Sequence, residues 1–224
     1  MRSAAAAALL LLGACGREGP RDGSICPHDP GFDRSRMIRV RADARPPVLR
    51  RDLDLAALAK ESGGSVGTGK PQGLTEVDNQ LSFHTLMNME AVGGRACVWL
   101  DEVRIDLTPA SVQIFVPREY AEDSCEYIAV LEHEREHERV HRERLDAAVK
   151  EIEQALTEAR WLPGKGNPMA TDDRDSAEAA LKAKIRKVVI PAYQKYKADL
   201  GSAQLELDKP ELYQWVSKRC SGWK

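Results

Sequence analysis

The chain of 224 residues lacks several features that would have assigned it quickly. No apolar run approaches the roughly 20 residues needed to cross a bilayer, so no membrane-spanning helix is expected. Neither charge sign dominates. The formal net charge is −2 with both signs interspersed, which excludes the basic stripe of a nucleic-acid binder. No C-x-x-C pair occurs among the five cysteines, which argues against an all-cysteine zinc site. Gly67-Thr68-Gly69-Lys70 is too short for a phosphate loop and lacks its spacing. There is no internal repeat. What remains is 42% hydrophobic and 30% charged residues, enough apolar material for a core.

The first residues point to export. Arg2 precedes a short apolar run, Ala4 to Leu12, and then Leu12-Gly13-Ala14-Cys15. A short apolar segment ending in small residues is a signal peptide rather than a span. Its end resembles a bacterial lipobox. That resemblance implies cleavage before Cys15 and lipid on its thiol, with an unmodified secretory signal as the alternative. Gly16, rather than Asp, follows the cysteine, so the expected location is the cell envelope, anchored in the outer membrane and facing the periplasm. The boundaries are then 1–14 signal peptide, 15–36 flexible tether rich in Gly, Pro, Arg and Asp, and 37–224 one domain. Cys26, Cys97, Cys125 and Cys220 remain. In an oxidising compartment they suggest two disulfides with three possible connectivities, of which Cys97–Cys125 with Cys26–Cys220 is favoured.

Hydrophobic patterning predicts an α+β fold, a small antiparallel sheet against a long helical hairpin. Met37 to Val40 is expected as a strand and Leu53 to Lys60 as a short helix closed by Gly63-Gly64. Leu81 to Met89, Ala96 to Leu107 and Val112 to Val116 alternate as strands. They are separated by a turn at Gly93-Gly94 and another at Pro109, giving a three-strand meander. Asp123 or Ser124 can cap a helix from Cys125 to about Arg160. A second helix starts at Thr171 to Asp173, with Pro191 inside it. A last short helix opens at Asp208-Lys209-Pro210 and runs toward Cys220.

The first long helix carries Leu131-Glu132-His133-Glu134-Arg135-Glu136-His137-Glu138-Arg139-Val140-His141. On a wheel at about 100° per residue, His133, His137, His141 and Glu134 fall within about 100° of one another, in the apolar stripe. Arg135, Arg139 and Arg142 fall on the far side. A merely solvated helix has no reason to turn every histidine inward, because buried imidazoles and carboxylates are costly without partners. His133 and His137 lie one turn apart, so two ring nitrogens can reach one ion.

H-E-x-x-H at residues 133–137 resembles the zincin metalloproteases. More loosely, the stretch from Cys97 to Leu156 resembles small secreted bacterial proteins described as predicted zinc-dependent proteases, domain of unknown function 922. The resemblance implies one zinc ion on His133 and His137. It also implies Glu134 as the general base for metal-bound water attacking a peptide carbonyl. The partners it implies are a peptide or protein substrate, and the membrane through lipid on Cys15; no nucleic acid is expected. Charged Arg135 and Glu136 depart from the usual zincin pattern, and no Gly follows His137. His141 would lie about 12 Å from His133 along the helix axis, an additional or outer-shell ligand. For the third ligand, an assumed turn at 162–171 puts Asp199 and Tyr196 level with the motif. His84 is a candidate from the sheet, and Glu178 is too far along. The alternative is a non-catalytic metal-binding or structural lipoprotein of the envelope.

Metabolic palmitate labelling should mark the mature protein, whose first residue should be Cys15. Soluble, unlabelled protein starting elsewhere would overturn the lipobox reading.

Overall fold

The computed structural model describes residues 25–43, 45–62, 71–221 and 223. The expected signal, Cys15, Gly63-Gly64 and the 67–70 loop lie outside them. Among the described residues there are a 3-10 turn (Arg34–Met37), β1 (Ile38–Ala42), β2 (Val48–Arg50), α1 (Leu55–Glu61), β3 (Leu74–Val92), β4 (Arg95–Phe115), α2 (Cys125–Glu158), β5 (Met169–Thr171), α3 (Arg174–Leu207) and α4 (Pro210–Lys218). The class is α+β, as the patterning predicts.

Every strand pairs with β4. β3 and β4 form one long antiparallel hairpin, turned at Gly93 and Gly94, whose φ values of 59° and 83° suit glycine. The expected meander is corrected here, because Pro109 makes no turn. The register instead shifts between Asp78 and Asn79 and between Leu86 and Met87, leaving Ala110 and Asp101 of β4 as extra residues. Each bulge resets the inward phase. Val98 and Leu100 face inward, then Val103, Ile105 and Leu107, then Val112 and Ile114, all buried. The breaks in alternation are bulges within one strand.

The sheet is mixed rather than antiparallel. β1 and β2 run parallel to β4, and β5 runs antiparallel to it. Ile38 pairs with Val103 and Val48 with Gln113 at the same offset, so β1 and β2 are one edge strand interrupted around Pro46-Pro47. Proline cannot donate to a ladder. Pro109 of β4 lies opposite that same interruption.

The helices cover one face of the sheet. Leu145, Ile152 and Leu156 of α2 and Leu181, Ile185 and Val189 of α3 pack with the inward residues of β4 in one core. Side-chain oxygens cap three helices: Asp54 accepts from Ala57 N, Ser124 from Tyr127 N, and Asp173 from Asp175 N. Residues 25–36, expected within the tether, lie on this body. Cys26 is fully buried, Asp29 N donates to Lys165 O at 2.9 Å, and Phe32 packs against the core.

Two disulfides are present among the described residues, but the favoured connectivity is corrected. Cys26 joins Cys97 and Cys125 joins Cys220. The first holds the N-terminal segment to β4. The second holds the segment after α4 to the first residue of α2.

Peptide mapping without reduction should yield Cys26–Cys97 and Cys125–Cys220 links. The second bridge spans 95 residues, so replacing Cys125 and Cys220 together with Ser should cost about 2–5 kcal/mol, read from denaturant unfolding. A Cys97–Cys125 peptide would contradict the structure.

Candidate metal centre

Ser124 starts α2 two turns before the motif, and the inward stripe of the helix is then Val130, Glu134, His137, His141, Leu145, Ala148, Ile152 and Leu156, all buried. Arg135 is exposed, and Glu136 bonds Arg139 on the outer side. The histidines and Glu134 therefore do turn inward.

α3 runs antiparallel to α2 and delivers the partner that the sequence reading lacked. His133, His137 and Asp208 form a group that could hold a metal ion, their ligand atoms all lying within 4.8 Å of one another. His133 Nε2 lies 3.1 Å from His137 Nε2 and 3.3 Å from Asp208 Oδ1. His137 Nε2 lies 3.1 Å from the same Oδ1. Ligand atoms about 2.0–2.2 Å from a tetrahedral ion stand about 3.3 Å apart. Two nitrogens and one oxygen with this mutual spacing could therefore hold a tetrahedral metal ion. The supporting contacts fit as well. His137 Nδ1 bonds Gln204 Oε1, whose amide nitrogen donates back to His137 O at 3.0 Å. That bond occupies Nδ1 and leaves Nε2 to face the cluster.

Asp208 is the C-cap of α3, and Pro210 begins α4. A carboxylate beside the carbonyls of a helix C-terminus is locally unfavourable, and positive charge is favoured there. Burial alone would raise the Asp208 pKa, but hydrogen bonds from His133 and His137 outweigh it and hold the carboxyl down to about 2. Burial would lower the His137 pKa, but the Asp208 bond and the charge of Glu134 raise it.

Glu134 is 3% exposed. Burial raises its pKa against the nearby imidazoles of His137 and His133 and the Thr75 hydroxyl. Thr75 Oγ1, at the start of β3, lies 2.8 Å from Glu134 Oε2 and 2.9 Å from its backbone carbonyl. Glu134, His137 and Asp208 line one cavity of about 250 Å³ with Gly73, Thr75 and Leu200. The carboxylate thus opens onto the space beside the ligand group, and Thr75 orients it from behind.

His141 joins neither the group nor this cavity. It is 1% exposed, its Nε2 lies 3.1 Å from Asn79 Oδ1, and burial lowers its pKa. The other proposed third ligands are corrected. Asp199 pairs with Lys195 at 3.2 Å, Tyr196 is buried in the core, and His84 lies on the open sheet face 3.8 Å from Asp106. The reason is register. Lys195 bonds Glu151 and Gln204 bonds His137, which sets α3 several residues off the register of a tight turn at 162–171. The connection first pairs β5 with Ala96 to Val98 of β4, so α3 starts farther out and reaches the motif only at its end. Asp208, Gln204 and Thr75 were missed; a carboxylate two residues before the proline that opens α4 was the one local signal.

Comparisons with protein-family models, curated proteins and solved structures found no match.

A Cβ at Gly73 would stand 2.5 Å from Glu134 Oε1 and 2.6 Å from Val130 Cγ1. Gly73→Ala should therefore push β3 off α2 and cost about 1–3 kcal/mol in denaturant unfolding. Gly201→Ala, in α3 with nothing within 4 Å, should instead gain up to about 1 kcal/mol. Equal stabilities for the two variants would refute this contact.

Proposed function

We propose that this is an envelope lipoprotein, tethered through Cys15, whose domain is a zinc-dependent metallopeptidase. The observation that carries the reading is the His133–His137–Asp208 group opening onto the same cavity as the buried Glu134. Three protein ligands of the N,N,O type with free space beside them match catalytic rather than structural zinc sites, which are closed by four. Two disulfides agree with an oxidising compartment.

His133, His137 and Asp208 would hold the zinc ion, with Gln204 fixing the His137 ring. When bound, zinc supplies a Lewis acid that acidifies water to about neutral pH and polarises a carbonyl. Glu134 takes the proton released as water oxygen bonds to the peptide carbonyl carbon. It returns that proton to the departing amine as the C–N bond breaks. Burial suits the carboxylate to both steps, because a raised pKa makes it a stronger base and then a reachable acid. Thr75 restricts the carboxylate to one orientation, and Gly73 allows β3 to close over it.

A second reading has its own support. The three ligand side chains already bond one another between α2 and the end of α3, so a metal there could fasten the helices without catalysis.

Mature protein dialysed against micromolar free zinc should retain about one equivalent. His137→Ala and Asp208→Ala should each lose it. Glu134→Gln should keep the metal and the fold but abolish hydrolysis of a peptide library. Zinc retention without hydrolysis by the wild type would favour the fastening role. A wild-type protein that holds no zinc would end both readings.

A further inference from the structure

A second cavity of about 250 Å³ lies on the other side of the ligand group, between α2 and α4. It shares His133 with the group, and its apolar wall is Leu207, Leu212, Trp215 and Val216. α4 is docked through Val216, which forms the floor of this cavity one turn from Leu212: it is 4% exposed and packs on Ala129 of α2, beside Cys220. The Cys125–Cys220 bridge holds that docking covalently. Leu212 and Trp215 are left 45% and 60% exposed, although about 25 cal/mol per Å² favours covering apolar surface.

The polar groups of the wall are already engaged. Arg219 bonds Glu132 of α2, its guanidinium carbon lies 4.9 Å from the centre of the Trp215 ring, and Glu136, the other carboxylate of the wall, bonds Arg139. The unclaimed surface is therefore apolar, with one ligand histidine at its margin. Its volume is below the roughly 300–1,000 Å³ of pockets that enclose a drug-sized molecule. It suits one side chain of a longer ligand whose backbone lies at the ligand group.

We propose that this cavity is a specificity subsite, in which Leu212, Trp215 and Leu207 receive a large apolar side chain of the peptide adjoining the bond held at His133, His137 and Asp208. This rests on the metallopeptidase reading of that group. The C-terminal helix then serves as the wall that selects the residue beside the cleavage point.

Binding rather than turnover tests it. Zinc-loaded protein is titrated calorimetrically with acetohydroxamate and with 4-phenylbutyrohydroxamate, two chelators that differ in an apolar tail. The tailed probe should bind about tenfold more tightly. That ratio should collapse toward one in Trp215→Ala, and independently in Leu212→Ala should the first variant fold poorly. It should persist in Leu86→Ala, an exposed apolar position on β3. Equal affinity of the two probes for zinc-loaded wild type would overturn the subsite and leave the metal reading standing. A high ratio that survives both α4 substitutions would do the same. Protein that retains no zinc and binds neither chelator would overturn the subsite together with the reading beneath it.

Discussion

The register of α3 against α2 is the constraint on which the site depends. Two histidines one turn apart follow from the local sequence alone, but a third ligand must come from a distant segment held at the right height. The chain sets that height indirectly. β5 returns to the sheet edge at Ala96 to Val98 before α3 begins, so α3 overshoots the end of α2 by more than a tight turn would allow. Leu181, Ile185, Val189 and Tyr196 then lock the helix into the core, and its final turn arrives beside the motif. A shift of one residue in α3 would rotate it by about 100° and carry Asp208 and Gln204 off that face.

The electrostatics of the site depend on the same placement. Buried alone, Asp208 would resist ionisation and His137 would resist protonation; together each favours the charged form of the other. Glu134 stands in the same cavity with its carboxyl moved the opposite way by its own burial. Two carboxylates near the same imidazoles are thus driven apart in acidity. The difference is that Asp208 accepts directly from both rings, whereas Glu134 has the Thr75 hydroxyl as its bonded partner. Bonding to both rings thus favours the anion at Asp208, whereas burial favours the protonated form at Glu134.

Much of this was legible before the fold was known, in proportion to how local the governing physics was. The inward turn of His133, Glu134, His137 and His141 follows from the helical period alone. The start of α2 at Asp123 or Ser124 and the glycine turn of the β3–β4 hairpin were equally local signals. What failed was non-local. The alternation break at Leu107–Val112 looked like a strand end, because a bulge and a turn both reset phase and only pairing distinguishes them. The parallel sense of β1 and β2 depends on where the chain travels between them. Disulfide pairing among four cysteines depends on which segments meet, and Cys26 meets Cys97 only because residues 25–36 pack on the body. Asp208 lies 71 residues beyond His137 and was hidden by an assumed turn.

The heavily charged tract around the motif is two surfaces of one helix with different tasks. On the outer side, Arg139 bonds Glu136 and Glu143, and Arg142 bonds Glu138, all at three- or four-residue spacing. Such pairs support a helix without tertiary contacts. The inner side then carries Glu134, His137 and His141 at positions where Leu or Ile would pack better. Below them, Leu145, Ile152 and Leu156 restore ordinary core packing. The polar residues are thus confined to the N-terminal half of α2, where Thr75, Asn79, Gln204 and Asp208 meet them, and the apolar residues hold the C-terminal half to the sheet. A helix whose inward histidines were incidental would have no reason to divide its buried face in this way, with a bonded partner from another element waiting at each polar position. That division, rather than the four letters of the motif, supports a site on α2.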